Sequence, residues 1–203
     1  MSAFDKLAEK MVVERTMQAL KTNGIESYLV ENGVEAKKKF FEILPPGAEV
    51  MNNSSTTLLT IGVADELIKS GKYNTVRERF AKMDPKTQGR EMKRMGAAAD
   101  WGVGSVHAVT EKGEIMIASA SGSQLPQYAY GSDHVLWVVG TQKIVQDINE
   151  GFKRLYEYVL PLEDARARKA YGMGSSVNKL LIINKEPQPR RSHLIFVNEI
   201  LGF

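Results

Sequence analysis

Three short segments near the start of the chain most restrict what it can fold into: Ile25 to Val30, Val34 to Leu44 and Glu49 to Met51. The first is a short run containing Tyr and Val, closed by Asn32-Gly33; the second has helical patterning and stops at Pro45-Pro46-Gly47; the third starts a second strand. Strand, helix, strand with short connections implies a parallel sheet with crossover helices, the α/β class. Such sheets place ligand loops where a strand's carboxyl end meets the next helix. Here that position is Asn52-Asn53-Ser54-Ser55-Thr56-Thr57, followed by a helical pattern over Leu58 to Ser70.

The rest of the chain fits around this unit. Residues 2 to 22 read as an amphipathic helix, with Phe4, Leu7, Met11 and Leu20 near one face and Asn23-Gly24 as its stop. Tyr73 to Asp100 reads as helical and basic, broken near Asp84-Pro85. Strand patterns follow at Ser105 to Thr110, Glu114 to Ala118, His134 to Val139, Lys179 to Ile183 and His193 to Val197, and the tight turn Lys112-Gly113 predicts a β-hairpin from the first two. Residues 145 to 171 read as helix with a break at Pro161. No repeat or linker divides the 203 residues, so one domain is expected over 1–203. Its helical N-terminal portion spans 1–48 and its main sheet 49–203.

Composition removes several kinds of chemistry. There is no cysteine, which excludes disulfides, thiolate-held Fe–S clusters, cysteine zinc sites and thiol nucleophiles. No stretch reaches the ~18 apolar residues of a membrane span, and the start alternates charged with apolar residues instead of forming a signal-peptide core, so a cytoplasmic protein is expected. The net charge is +3, too small for strong nonspecific attraction to nucleic acid. It is unevenly placed: Lys72 to Arg94 holds eight basic and three acidic residues, and the remainder is mildly acidic. That segment has few aromatic residues beyond Tyr73 and Phe80, so nucleic acid is not the expected partner. A solvated helical face, an acidic protein partner or an anionic substrate each account for it.

Three segments carry candidate chemistry. Ser119-Ala120-Ser121-Gly122-Ser123 follows a strand and offers hydroxyls, a flexible glycine and backbone N–H groups that can surround a phosphate or carboxylate. Asn53-Ser54-Ser55-Thr56 is a second hydroxyl-rich loop at a strand end, and two such loops can converge on one ligand. Plain polar loops with helix caps would use the same residue types, and both readings stay open. Glu111 and Glu114 flank the hairpin turn; a carboxylate there could serve as base or nucleophile if buried, or sit solvated at the tip. His107, His134 and His193 lie apart, without metal-ligand spacing, and read as structural. No Walker loop is present, and Gly172-Met173-Gly174-Ser175-Ser176-Val177 lacks the context of a dinucleotide fingerprint, so no cofactor is expected.

Several stretches together resemble the LUD domain family, the lactate-utilisation protein family. They are Val106 to Glu114, Ser119 to Pro126, Val135 to Val145, Pro161 to Arg166, Asn178 to Ile182, Phe196 to Phe203, and upstream Ser54 to Leu58 before Ile61-Gly62. The resemblance implies the fold shared by sugar-phosphate isomerases, CoA transferases and formyltetrahydrofolate cyclo-ligases, a Rossmann-like, mostly parallel sheet with flanking helices and extra β structure. It implies that Ser54, Ser55, Thr56, Glu111 and Ser119, Ser121, Gly122, Ser123 line one pocket, with Lys143 as a cation for a small anionic metabolite. It further implies lactate or related organic-acid utilisation beside separate redox subunits, and it is compatible with a homo-oligomer. Isomerase or acyl/CoA-transfer chemistry with Glu111 as the catalytic group, or a noncatalytic partner subunit, are the other expectations. The chain departs from the family pattern at Lys112-Gly113-Glu114, where many members carry a Thr-Gly-Thr turn, and it lacks the larger members' cysteine-rich region.

Overall fold

The computed structural model describes residues 3–203. A 3-10 turn, Ala3–Asp5, leads to α1 (Lys10–Thr22), β1 (Glu26–Val30), α2 (Gly33–Ile43) and β2 (Glu49–Asn52). Next come α3 (Thr56–Thr60), α4 (Val63–Lys69), β3 (Asn74–Thr75), α5 (Val76–Phe80) and α6 (Pro85–Ala97). The strands β4 (Trp101–Gly104), β5 (Ala108–Thr110) and β6 (Ile115–Ser119) follow, then a π-helical turn Gln127–Gly131, β7 (His134–Gly140), a 3-10 turn Thr141–Lys143 and β8 (Ile144–Val145). Finally α7 (Ile148–Lys153) runs through a π-helical stretch, Arg154–Val159, into α8 (Leu160–Tyr171), ahead of β9 (Lys179–Ile183) and β10 (Ser192–Val197).

Six strands form a sheet of order β1-β10-β7-β4-β2-β3, each neighbouring pair parallel. The strands read as continuous apolar runs because both faces are covered, one by helices and the other by α1 together with β6. Along β7, Val135, Trp137 and Val139 join one core cluster while Leu136 and Val138 join the other; Leu194/Phe196 and Ile195/Val197 of β10 divide the same way. Phe40, Leu58 and Leu67 close one side; Val13 and Leu20 of α1, with Ile115 and Ile117 of β6, close the other. A second sheet has the order β8-β5-β6-β9. Its hairpin β5–β6 is antiparallel, and Gly113 takes the positive φ of 81° that the turn requires. Among the described residues no helix is long and apolar enough to cross a membrane.

Several sequence boundaries move. The first helix starts at Lys10 rather than at residue 2 (Ser2 lies outside the described residues), because the segment before it is held away by tertiary contacts. Phe4 packs on Tyr158, and Asp5 accepts a hydrogen bond from the Tyr158 hydroxyl. β1, expected as a strand over Ile25 to Val30 within the otherwise helical portion 1–48, is the main sheet's edge strand beside β10. The helix expected over Leu58 to Ser70 is two, separated at Gly62 with φ 72°. The strand expected over Ser105 to Thr110 is shorter, β5 alone from Ala108, and ahead of it stands β4 (Trp101–Gly104), which no expectation covered and which belongs to the other sheet. β4 escaped notice because half of it is glycine, and those glycines are required by the π-helical turn packed on them: a Cβ at Gly102 would meet Gln127 at 3.1 Å. Pro161 does not break the helix; the π-helical stretch ahead of it widens the turn where the proline lacks an N–H.

Candidate functional site

Four adjacent strands, β10, β7, β4 and β2, end at one edge of the sheet, and the segments that leave them enclose a cavity of about 310 Å³. Asn53 to Thr57 comes from β2, Ser105 to His107 from β4, Lys143 from β7, and Gly202 with Phe203 from the segment after β10. Ser119, Ser121 and Ser123 from the end of β6 form a further wall, and Glu163, Arg166 and Tyr171 of α8 another. Thus Ser54, Ser55, Thr56, Ser119, Ser121, Ser123 and Lys143 meet in one place. Gly122 is not among the lining residues, and a Cβ there would lie 2.6 Å from Lys179 Cδ. Glu111 is also apart from the cavity: it is ion-paired with Arg15 of α1, and its backbone N–H donates to the Val145 carbonyl.

The Ser-rich loop is folded by its own hydroxyls. Gly122 N–H donates to Ser119 Oγ at 2.8 Å, Ser123 N–H to Ser121 Oγ at 3.3 Å, and Lys179 Nζ holds the Ser121 carbonyl at 2.7 Å. In the other loop, Ser55 caps α3 by accepting from Leu58 N–H at 3.2 Å. Ser54 is gripped from the basic segment: Arg77 donates from Nη2 to Ser54 Oγ at 2.9 Å and from Nε to the Asn52 carbonyl at 2.5 Å. Asn53 turns inward, donating from Nδ2 to Gln127 Oε1 at 2.9 Å and to the Tyr128 hydroxyl at 3.0 Å.

Lys143 is 2% exposed. Its Nζ donates to Ser105 Oγ and the Val106 carbonyl, both at 3.2 Å, and to Thr57 Oγ1 at 3.4 Å. All three acceptors are uncharged, and no carboxylate among the described residues pairs with it. A cation so placed loses hydration without an opposite charge to replace it, and the Arg154 guanidinium adds repulsion, so the amine is pushed down to about 7. Arg154 is fully buried; its Nη1 donates to the His107 carbonyl at 2.9 Å, while Nε and Nη2 have no hydrogen-bond partner among the described residues. The Tyr158 and Phe4 rings flank it at 5.2 and 5.8 Å.

His107, read from the sequence as structural, lines the cavity. Its Nδ1 accepts from Ala118 N–H at 3.1 Å, which assigns the ring proton to Nε2. Burial and the nearby cations Lys143 and Arg154 push it down to about 3 and keep it neutral. Tyr128 is held protonated by burial. On α8, Arg166 binds Glu163 through two hydrogen bonds of 2.7 Å. The cavity therefore offers hydroxyls, a neutral imidazole and a lysine without a counter-charge, a set suited to an oxyanion. Arg154 and Tyr128 carried no sequence signal, and Glu163 and Arg166 entered only as part of the resembling stretch Pro161 to Arg166, since a helical Arg or Glu reads as a solvated face.

A family model described as LUD domain matches residues 13–197. The crystal structure of a DUF162 family protein from Deinococcus radiodurans aligns with a TM-score of 0.59 at 14% identity, covering 95% of this chain and 100% of that one. A ribose 5-phosphate isomerase from Plasmodium falciparum aligns with a TM-score of 0.37 at 13% identity, over 78% of this chain and 79% of that one. No curated protein matches the sequence.

Proposed function

The chain belongs to the LUD domain family, and from that premise we propose that it binds a small anionic metabolite in the cavity at the carboxyl ends of β2, β4, β7 and β10, in the utilisation of lactate or a related organic acid. The observation that carries this reading is Lys143, a buried cation without a carboxylate partner, facing a cavity whose other polar groups are mostly hydroxyls. Buried charges are paired, bound to ions, or neutralised. An anionic ligand would supply the missing charge. The Ser54–Thr56 and Ser119–Ser123 hydroxyls would then hydrogen-bond its remaining oxygens. A volume of about 310 Å³ suits a compact metabolite.

Thermal unfolding of the full chain with lactate, pyruvate, other organic acids, sugar phosphates, folates and CoA esters tests the reading. Saturable stabilisation by at least one compact anion is expected, growing as RT ln(1 + [L]/Kd), and lost in a folded Lys143→Met variant. A panel that produces no shift removes the support for the site.

A further inference from the structure

A buried lysine that only stabilises a fold is ordinarily paired with a carboxylate. Lys143 is held instead by Thr57 Oγ1, Ser105 Oγ and the Val106 carbonyl, with Arg154 anchored on the next carbonyl along the chain. Lys143 is nonetheless one of the residues that line the cavity, where its Nζ lies beside Gly202 and Thr57. Burial, a second cation nearby and a place on the wall of a ligand-sized cavity are what turn a lysine from a counter-charge into a nucleophile.

We propose that Lys143 reacts covalently, Nζ adding to the carbonyl carbon of a small oxo acid in the cavity to form a reversible imine; this rests on the anion-binding reading above. The nitrogen lone pair forms the C–N bond while the C=O π pair moves to oxygen. That oxygen takes a proton, and the nitrogen gives one up through the Thr57 or Ser105 hydroxyl, leaving a carbinolamine. The carbinolamine hydroxyl takes one further proton, from solvent, and leaves as water to give a protonated imine; addition of water with return of that proton reverses the sequence, so no oxidant or reductant is consumed. His107 Nε2–H can donate to the carbonyl oxygen as it gains charge. The substrate carboxylate offsets the iminium and Arg154 charges, which is why an oxo acid fits better than a neutral aldehyde.

The chemistry is poised for neutral pH. An ordinary lysine, pKa about 10.4, is unprotonated in about 1 molecule in 2,500 at pH 7, whereas a group near 7 is about half amine. The test is to incubate the full chain at pH 7 with pyruvate or glyoxylate and sodium cyanoborohydride, then map the modified peptides by mass. Melting curves with the same acids, without reductant, run in parallel. One reduced adduct on the Lys143 peptide is expected, formed faster than on surface lysines in line with an amine fraction about a thousandfold larger at pH 7, and absent from a folded Lys143→Arg variant. A melting shift without an adduct at Lys143, or adducts spread over surface lysines and unchanged in that variant, overturns the imine and leaves anion binding standing. Neither shift nor adduct overturns both.

Discussion

Lys143 and Arg154, two buried cations, are anchored on consecutive carbonyl oxygens: Nζ to Val106 at 3.2 Å and Nη1 to His107 at 2.9 Å. The arrangement fixes both charges near one short segment after β4, so each raises the cost of the other. Asp5 and Tyr158 favour the charged form of Arg154, which leaves Lys143 as the group that yields its proton. Replacing Arg154 with Met removes the repulsion but not the burial. The Lys143 amine should therefore titrate above its present value of about 7, though short of an ordinary lysine. The pH dependence of its acetylation by acetic anhydride, followed on the Lys143 peptide, measures the change; an unmoved or lowered midpoint would contradict the coupling.

Stability should climb with pH across two windows. His107 is lowered from 6.5 to about 3 and Lys143 from 10.5 to about 7, so between those values the folded chain binds fewer protons than the unfolded one. Free energy of unfolding then rises between about pH 3 and 6.5 through His107, and again above about pH 7 through Lys143. Above pH 10 Tyr128 acts in the opposite sense, since folding holds its proton. Urea unfolding between pH 3 and 10 should show His107→Asn flattening the lower window and Lys143→Met the upper, each by on the order of a few kcal/mol. Parallel curves for variant and parent would refute the assignment.

Glu111→Gln should leave ligand-induced stabilisation unchanged. The carboxylate pairs with Arg15, whose side chain is 60% exposed, and the pair joins the hairpin to α1 away from the cavity. An exposed pair of this kind contributes at most about 1 kcal/mol, so the melting temperature should move little. Loss of the ligand response on this substitution would return Glu111 to the site.

What could be read from the sequence divides along physical lines. The parallel sheet was legible because β7 and β10 are unbroken apolar runs and Pro45-Pro46-Gly47 stops α2 without ambiguity. The placing of the two hydroxyl loops at strand ends was legible because Asn53–Thr56 and Ser119–Ser123 each follow a strand, and that of Lys143 because it follows β7. β4 was hidden by Gly102 and Gly104, whose missing side chains matter only to partners far along the chain. Arg154 was hidden because local periodicity cannot show which face of a helix is covered by the N-terminal segment. Glu111 stayed open between base and solvated tip because a hairpin tip gives no hint of a partner as remote in sequence as Arg15.

Gly104→Ala should damage both the fold and the site, and a second substitution should repair part of the loss. A Cβ at Gly104 would stand 2.1 Å from the Tyr128 hydroxyl oxygen but 3.4 Å from its Cζ, so the clash is with the hydroxyl and not with the ring. The ring cannot easily retreat: it packs on Trp137 with centroids 5.4 Å apart, and Arg191 holds the Tyr128 carbonyl at 3.1 Å. Overpacking of this kind costs about 1–3 kcal/mol, and displacing the hydroxyl also breaks the 3.0 Å bond that turns Asn53 inward. Tyr128→Phe alone should cost about 1 kcal/mol for that hydrogen bond. In the double variant the clash is gone, so its loss should be smaller than the sum of the single losses, by on the order of 1 kcal/mol or more. Urea unfolding of the four proteins measures the coupling, and melting shifts with a bound organic acid report whether Asn53 still faces the cavity. Additive losses would mean that the Gly104 backbone, rather than the Tyr128 hydroxyl, sets the constraint.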